Sequence, residues 1–316
     1  MLNQDTIVAV TVTFNSHELL KRCIDHLRQQ TKKIYKIIVV DNHSNNNIKK
    51  KNQSIINEDI DYYYLDENTG GAGGFEYGVR QAIKYSPDWI WLMDDDAFPA
   101  HDCLENLLLY KEWQNIGCIC PTIYGADKQQ YQTFHHKKIT KYLFKDLPMY
   151  QSYEIFPDVF NIDANAFVGP LFSAKAVNEI GLPNGKLFIY GDDTEYTYRL
   201  TRKYEMIVVK NAIINHRDLS SSNEVFNPKQ IWKEYYMFRN KIIFNKKFAK
   251  NKLQCIICNL YIKHTFFKLS LRTILKKDYK KYRKIRLSTI YRGIKDGTKG
   301  LDGKTIDPKA FNKQFD

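Results

Sequence analysis

Trp89-Ile90-Trp91-Leu92-Met93 runs without a polar break into Asp94-Asp95-Asp96, and this junction limits the folds open to the chain more than any other feature. Five bulky apolar residues in a row leave no face for water, so the segment reads as a strand buried on both sides of its sheet. A sheet of that kind needs helices on both faces, and its strands deliver whatever follows them to a crevice at one edge. Here the delivery is three carboxylates, whose desolvation and mutual repulsion call for a cation.

Other segments repeat the arrangement. Ile7-Val8-Ala9-Val10-Thr11-Val12-Thr13 reads as a buried strand ended by Phe14-Asn15-Ser16, after which Leu19, Leu20, Cys23, Ile24 and Leu27 recur at helical spacing. Ile37-Ile38-Val39-Val40 is stopped by Asp41-Asn42-His43-Ser44-Asn45, and Tyr62-Tyr63-Tyr64-Leu65 forms a third strand. Between the third strand and Trp89 lies Asn68-Thr69-Gly70-Gly71-Ala72-Gly73-Gly74-Phe75. Its glycines either let the backbone approach a phosphate at a helix N-terminus or form a plain turn. No Gly-Lys-Ser/Thr follows, and Glu76 stands where a dinucleotide motif needs its third glycine. The expected class is α/β, with a Rossmann-like, mostly parallel sheet.

Two later segments add polar groups after apolar runs. Gly191-Asp192-Asp193-Thr194-Glu195 follows Leu187-Phe188-Ile189-Tyr190 and precedes a helix expected from Thr194 to about Tyr204. Asp193 there is either a helix cap or, with Asp192, part of a pair that positions an acceptor and takes its hydroxyl proton. His216 ends the run Ile213-Ile214-Asn215. Alone it reads as a structural histidine; beside carboxylates at comparable strand ends it reads as a nitrogen ligand to Mg²⁺ or Mn²⁺. Ala174–Ile180 reads as a short helix stopped by Gly181, whereas residues 115–160 show no sustained period and stay unassigned.

Charge divides the chain. Of the net +13, residues 229–316 hold 24 Lys/Arg against 6 Asp/Glu, a balance of +18 that leaves the rest at −5. Residues 1–226 are therefore expected to form the catalytic domain and 227–316 a basic, mainly helical region. The apolar stretch from Cys255 to Leu275 is interrupted by Lys263, His264, Lys268 and Arg272. It reads as an interfacial helix or a packed appendage rather than a membrane span. A basic region on an acidic body points to phospholipid head groups or nucleic acid; nucleic-acid binding leaves the acidic strand ends unexplained, so a membrane surface is the expected partner. Cys255-x-x-Cys258 lacks a second ligand pair and reads as buried thiols. No basic-then-apolar segment opens the chain at Met1-Leu2-Asn3-Gln4-Asp5, and the expected location is cytoplasmic, peripheral on the inner face of the cell membrane.

Taken in order, Val10-Thr11-Val12-Thr13-Phe14-Asn15, Val39-Val40-Asp41-Asn42-x-Ser44, the Asp triplet, Gly-Asp-Asp-x-Glu and His216 resemble the family 2 glycosyltransferases of the GT-A fold, over roughly residues 6–220. The resemblance implies that Thr13, Asn15 and Asp41 line a nucleoside pocket. It implies that Asn68, Gly71, Gly73, Gly74, Asp94 and Asp95 contact the donor, and that Asp94, Asp96 and His216 hold a divalent metal, Mn²⁺ or Mg²⁺. Asp193 would be the catalytic base, with Asp192 beside it. Within the family, the glycine-rich segment and Trp91-Leu92-Met93-Asp94-Asp95-Asp96 look most like bacterial galactofuranosyltransferases, which use UDP-galactofuranose; rhamnosyltransferases using dTDP-rhamnose are the alternative. Tyr235-Tyr236-x-x-Arg239-Asn240 is compatible with both. The Gln-x-x-Arg-Trp segment of processive synthases is missing, and the basic region agrees with a lipid-linked saccharide as acceptor. A haloacid-dehalogenase-type phosphotransferase also places Asp-x-Asp after a strand, but it wants Thr or Val where Phe98 stands.

Overall fold

The structure, a computed structural model, describes residues 5–125, 130–150, 152–217 and 226–315. Of the opening Met1-Leu2-Asn3-Gln4-Asp5, on which the expectation about a leader rests, all but Asp5 lies outside the described residues. The chain divides into two compact units. The first comprises Met1–Lys138, Leu147–Gly185 and Asp193–Asp218; the second comprises Ile139–Asp146, Lys186–Asp192 and Leu219–Asp316.

The elements begin with β1 (Ile7–Thr13), α1 (His17–Arg28), β2 (Lys36–Asp41), α2 (Asn46–Gln53), β3 (Ile60–Tyr64), α3 (Gly70–Ile83) and β4 (Trp89–Asp94). They continue with β5 (Ala97–Pro99), α4 (Cys103–Leu108), β6 (Ile116–Gly125), β7 (His136–Ile139), β8 (Asp146–Pro148), β9 (Val159–Asn161) and β10 (Ala164–Asn165). Then come β11 (Leu171–Ser173), α5 (Ala174–Ile180), α6 (Asp192–Leu200) and β12 (Glu205–His216). The large sheet has the order β3-β2-β1-β4-β11-β6-β12-β5, with β9 also pairing β12. Strands β1 to β4 are mutually parallel, whereas β11 runs antiparallel to both β4 and β6.

Alternation along the buried strands supplies two cores. Ile7, Ala9, Trp89, Trp91 and Met93 face one side with Leu20, Cys23, Ile24 and Leu27 of α1. Val8, Val10, Val12, Ile90 and Leu92 face the other with Phe75 and Val79 of α3. Trp91 is fully buried, and its indole N–H donates to the Gly169 carbonyl at 2.7 Å, so the one polar atom of the strand's largest side chain is satisfied. The residues left unassigned by their pattern form β6 to β9. Three of these strands are only three or four residues long, too short to show a period.

The glycine-rich segment is the first turn of a helix rather than a loop. Gly70 enters it at φ 73°, and a Cβ on Gly74 or Gly78 would meet Val12 Cγ1 at 2.5 Å or Val10 Cγ1 at 2.3 Å. These two glycines let α3 lie directly on β1. The helix expected from Thr194 to about Tyr204 begins two residues earlier and ends at Leu200.

In the second unit, α7 (Ile231–Phe248), α8 (Lys252–Leu275), α9 (Arg283–Lys299) and α10 (Pro308–Asn312) follow. Helices α7, α8 and α9 share a core of Ile242, Ile262, Ile290 and Ile294. Gly293 and Gly297 bring α9 onto α7, where a Cβ would meet the Tyr235 and Arg239 carbonyls at 2.4 and 2.7 Å. Tyr235-Tyr236-x-x-Arg239-Asn240 is buried in this unit. The Arg239 guanidinium donates to Leu187 O and Thr305 Oγ1, both at 2.9 Å. The Asn240 amide shares its two N–H groups among the carbonyls of Leu187, Ile189 and Tyr190 at 2.7 to 3.0 Å. The segment so held contains Phe188 and Tyr190 at φ 67° and 64°, conformations that cost on the order of 1 kcal/mol each for a residue with a Cβ. Among the described residues no helix is long and apolar enough to cross a membrane.

Candidate active site

Register brings the strand ends together. Thr13 is opposite Asp41 across β1 and β2, and Val12 is opposite Asp94 across β1 and β4. Asp96 is followed at once by β5, which runs antiparallel to β12 with Ala97 opposite His216. The Arg217 N–H donates to Asp96 O at 3.2 Å. As a result Asp94, Asp96 and His216 each offer a ligand atom within 4.8 Å of one another.

His216 is oriented by a residue that the sequence did not single out. Its Nδ1 lies 3.0 Å from Gln132 Oε1, which also receives His135 Nε2 at 2.7 Å. An amide oxygen can only accept, so His216 donates to it from Nδ1, and Nε2 is the nitrogen turned toward Asp96 Oδ1, 3.3 Å away. Two carboxylates and an imidazole nitrogen make a donor set that fits Mn²⁺ or Mg²⁺. His135 is buried against this group; burial first, then the neighbouring His216, hold its pKa well below the ordinary histidine value.

Asp95 takes another role. Its Oδ2 accepts from the Thr13 hydroxyl at 2.5 Å. Burial pushes its pKa up to about 7; the Thr13 hydrogen bond pulls it down and the charge of Asp96 adds to the rise. Asp41 is fully buried and accepts from Ser44 N, Asn52 Nδ2 and Tyr62 OH at 2.7 to 2.9 Å. Its carboxylate thereby fixes the turn after β2. Asn15 closes on that turn: its N–H donates to Ser44 Oγ at 2.7 Å and its Oδ1 accepts from Asn45 N at 2.8 Å.

Asn68 Oδ1 accepts from Gly70 N at 2.8 Å, which makes it a cap on the entry to α3. A Cβ on Gly73 would meet Thr69 Cβ at 2.5 Å, whereas one on Gly71 would meet nothing within 4 Å. Gly71 is thus the glycine of this group with open space beside it. Asp193 is the second residue of α6 and lies in the first unit, its Oδ1 accepting from Thr194 N at 2.5 Å. Lys137 donates to Thr194 Oγ1 at 3.2 Å. Asp192 is buried and falls in the second unit.

The structure thus brings together Asp94, Asp96 and His216, which the sequence singled out, and sets beside them Gln132 and His135, which it did not; the donors to Asp41 were missed as well. Gln132 lies in the stretch without periodicity, and only the adjacent His135-His136 pair marks that stretch as unusual.

Solved structures share this architecture. GalNAc-T7 with UDP, GalNAc and Mn²⁺ aligns with TM-score 0.58 at 17% identity, over 78% of this chain and 52% of that one. Mannosyltransferase PcManGT from Pyrobaculum calidifontis with GDP-Man and Mn²⁺ aligns with TM-score 0.54 at 9% identity, over 94% and 88%. The fold is that of the GT-A glycosyltransferases. The family profile "Glycosyl transferase family 2" matches residues 8–181, and the chain belongs to that family. Among curated proteins, Galactofuranosyltransferase GlfT1 of Mycolicibacterium smegmatis is 31% identical over 211 residues, 64% of this chain and 67% of the relative. GlfT1 of Mycobacterium tuberculosis is 31% identical over 204 residues, 63% of this chain and 65% of that protein, so the chain spans about two thirds of the relatives' length.

Proposed function

We propose that the protein transfers galactofuranose from UDP-galactofuranose to a lipid-linked saccharide, with inversion, in the synthesis of cell-surface polysaccharide. The observation that carries the chemistry is the convergence of Asp94, Asp96 and His216 at the strand ends; the choice of sugar rests on the similarity to the GlfT1 proteins. In this reading residues 1–226 form the catalytic domain and residues 227–316 work at the inner face of the cell membrane.

Asp94, Asp96 and His216 would hold a divalent cation, Mn²⁺ or Mg²⁺, and such an ion when bound offsets charge on the departing diphosphate. Thr13, Asn15 and the turn fixed by Asp41 bind the nucleoside, with Asn68, Gly71 and Asp95 completing the donor site, while Gly73 and Gly74 serve it by allowing close packing against Thr69 and Val12. Asp193 accepts the proton from the acceptor hydroxyl as that oxygen attacks the anomeric carbon, and Asp192 positions the acceptor. The displacement is single, so the anomeric configuration inverts.

The test is calorimetric titration of the protein with UDP and dTDP, each with Mn²⁺ and with EDTA. Binding of UDP that EDTA removes is expected, followed by transfer from UDP-galactofuranose to a lipid-linked acceptor. A preference for dTDP would replace this donor with dTDP-rhamnose, and binding of neither would overturn the reading.

A further inference from the structure

Helix α8 carries an apolar stripe that its own unit does not cover. Leu253, Ile257, Leu260, Phe267, Leu271 and Leu275 are all exposed, Leu253 at 66%, Phe267 at 60% and Leu275 at 78%. Their spacings of three, four and seven residues place them on one face at 100° per residue, interrupted there by the exposed His264. Cys258, Ile262 and Thr273 lie on the opposite face and are buried, so the helix is apolar on both sides and uses only one for packing. Exposed Lys252 and Lys263 flank the stripe along one edge, and exposed Lys268 and Arg272 along the other.

Charge decides what the stripe meets. Residues 252–284 contain ten Lys/Arg, with Asp278 as the sole acid. A second copy of this helix laid on the stripe would set cation against cation along both edges. A bilayer bearing anionic head groups accepts both features, because apolar side chains enter the acyl boundary while the lysines reach the phosphates. We infer that α8 lies in the plane of an anionic membrane surface, its stripe inserted and its basic edges on the head groups. This inference rests on the membrane part of the proposed function and assigns it a surface.

The test is flotation of the full chain with vesicles of phosphatidylcholine alone and of phosphatidylcholine with about one third phosphatidylglycerol. Wild-type protein is expected to float with the anionic vesicles and to bind the neutral ones about tenfold more weakly or less. Leu260→Asp/Phe267→Asp/Leu271→Asp, whose side chains do not support the core, should melt as wild type does. It should lose affinity for anionic vesicles by about tenfold or more, with UDP binding in Mn²⁺ unchanged. If that variant misfolds, Lys263→Glu/Lys268→Glu serves instead and should abolish the preference for phosphatidylglycerol. Wild-type protein that fails to float, or an apolar variant that floats equally well, overturns the inference. A dimer in light scattering that the same substitutions dissociate would overturn it too, by showing a second copy on the stripe. Because UDP titration is read separately, loss of flotation with intact UDP binding removes the surface and leaves the donor reading standing.

Discussion

At the scale of single residues, Gln132 governs which nitrogen of His216 is available. Gln132→Leu removes the acceptor for Nδ1–H and frees the imidazole to turn or change tautomer. Mn²⁺-dependent UDP affinity should fall by about 10- to 100-fold, the usual cost of losing such a partner. Gln132→Glu retains an acceptor and should restore most of the affinity; calorimetry on both variants decides, and equal loss would show that the carbonyl oxygen is not what matters. Asp193→Asn should abolish transfer while leaving UDP binding nearly intact, whereas Asp96→Ala should weaken binding itself. Equal loss of binding in both would undo the division of roles.

At the scale of elements, α3 separates two uses of glycine. Adding a methyl at Gly78 gains about 1 kcal/mol in helix propensity but drives into Val10 and Val40 on two buried strands, an overpacking that costs about 1–3 kcal/mol. The clash is with branched side chains of a fully buried sheet, so Gly78→Ala should lower the urea midpoint. Gly71→Ala meets no neighbour and should hold or raise stability; if the donor passes there, UDP-sugar affinity falls while the midpoint does not. Strands β1 and β4 were legible because their seven-residue and five-residue runs, nearly all apolar, have no other home than a covered sheet. The helix start at Gly70 was not, because glycine density signals a loop unless one knows that Val10 and Val12 lie beneath. Nor was Gln132, since the histidine it orients, His216, lies 84 residues further along the chain.

At the scale of the molecule, acidic and basic character fall on different units, and the basic one carries the exposed stripe. Vesicle binding should therefore weaken as salt rises from about 0.05 to about 0.5 M, because the Debye length shrinks from roughly 14 to 4 Å. A residual, salt-insensitive fraction should remain from the apolar side chains. A binding curve indifferent to salt would mean that the lysines beside the stripe contribute nothing. The three-residue pairing of β5 with β12 has a consequence for how the protein matures. Asp94 and Asp96 leave the ribosome long before His216, so the nascent chain holds two thirds of its ligand set with no means of completing it. If Asp94, Asp96 and His216 hold a cation as proposed, its capture waits on the docking of the first unit's last strand, and a tightly held ion would report that this unit has been fully synthesised and folded.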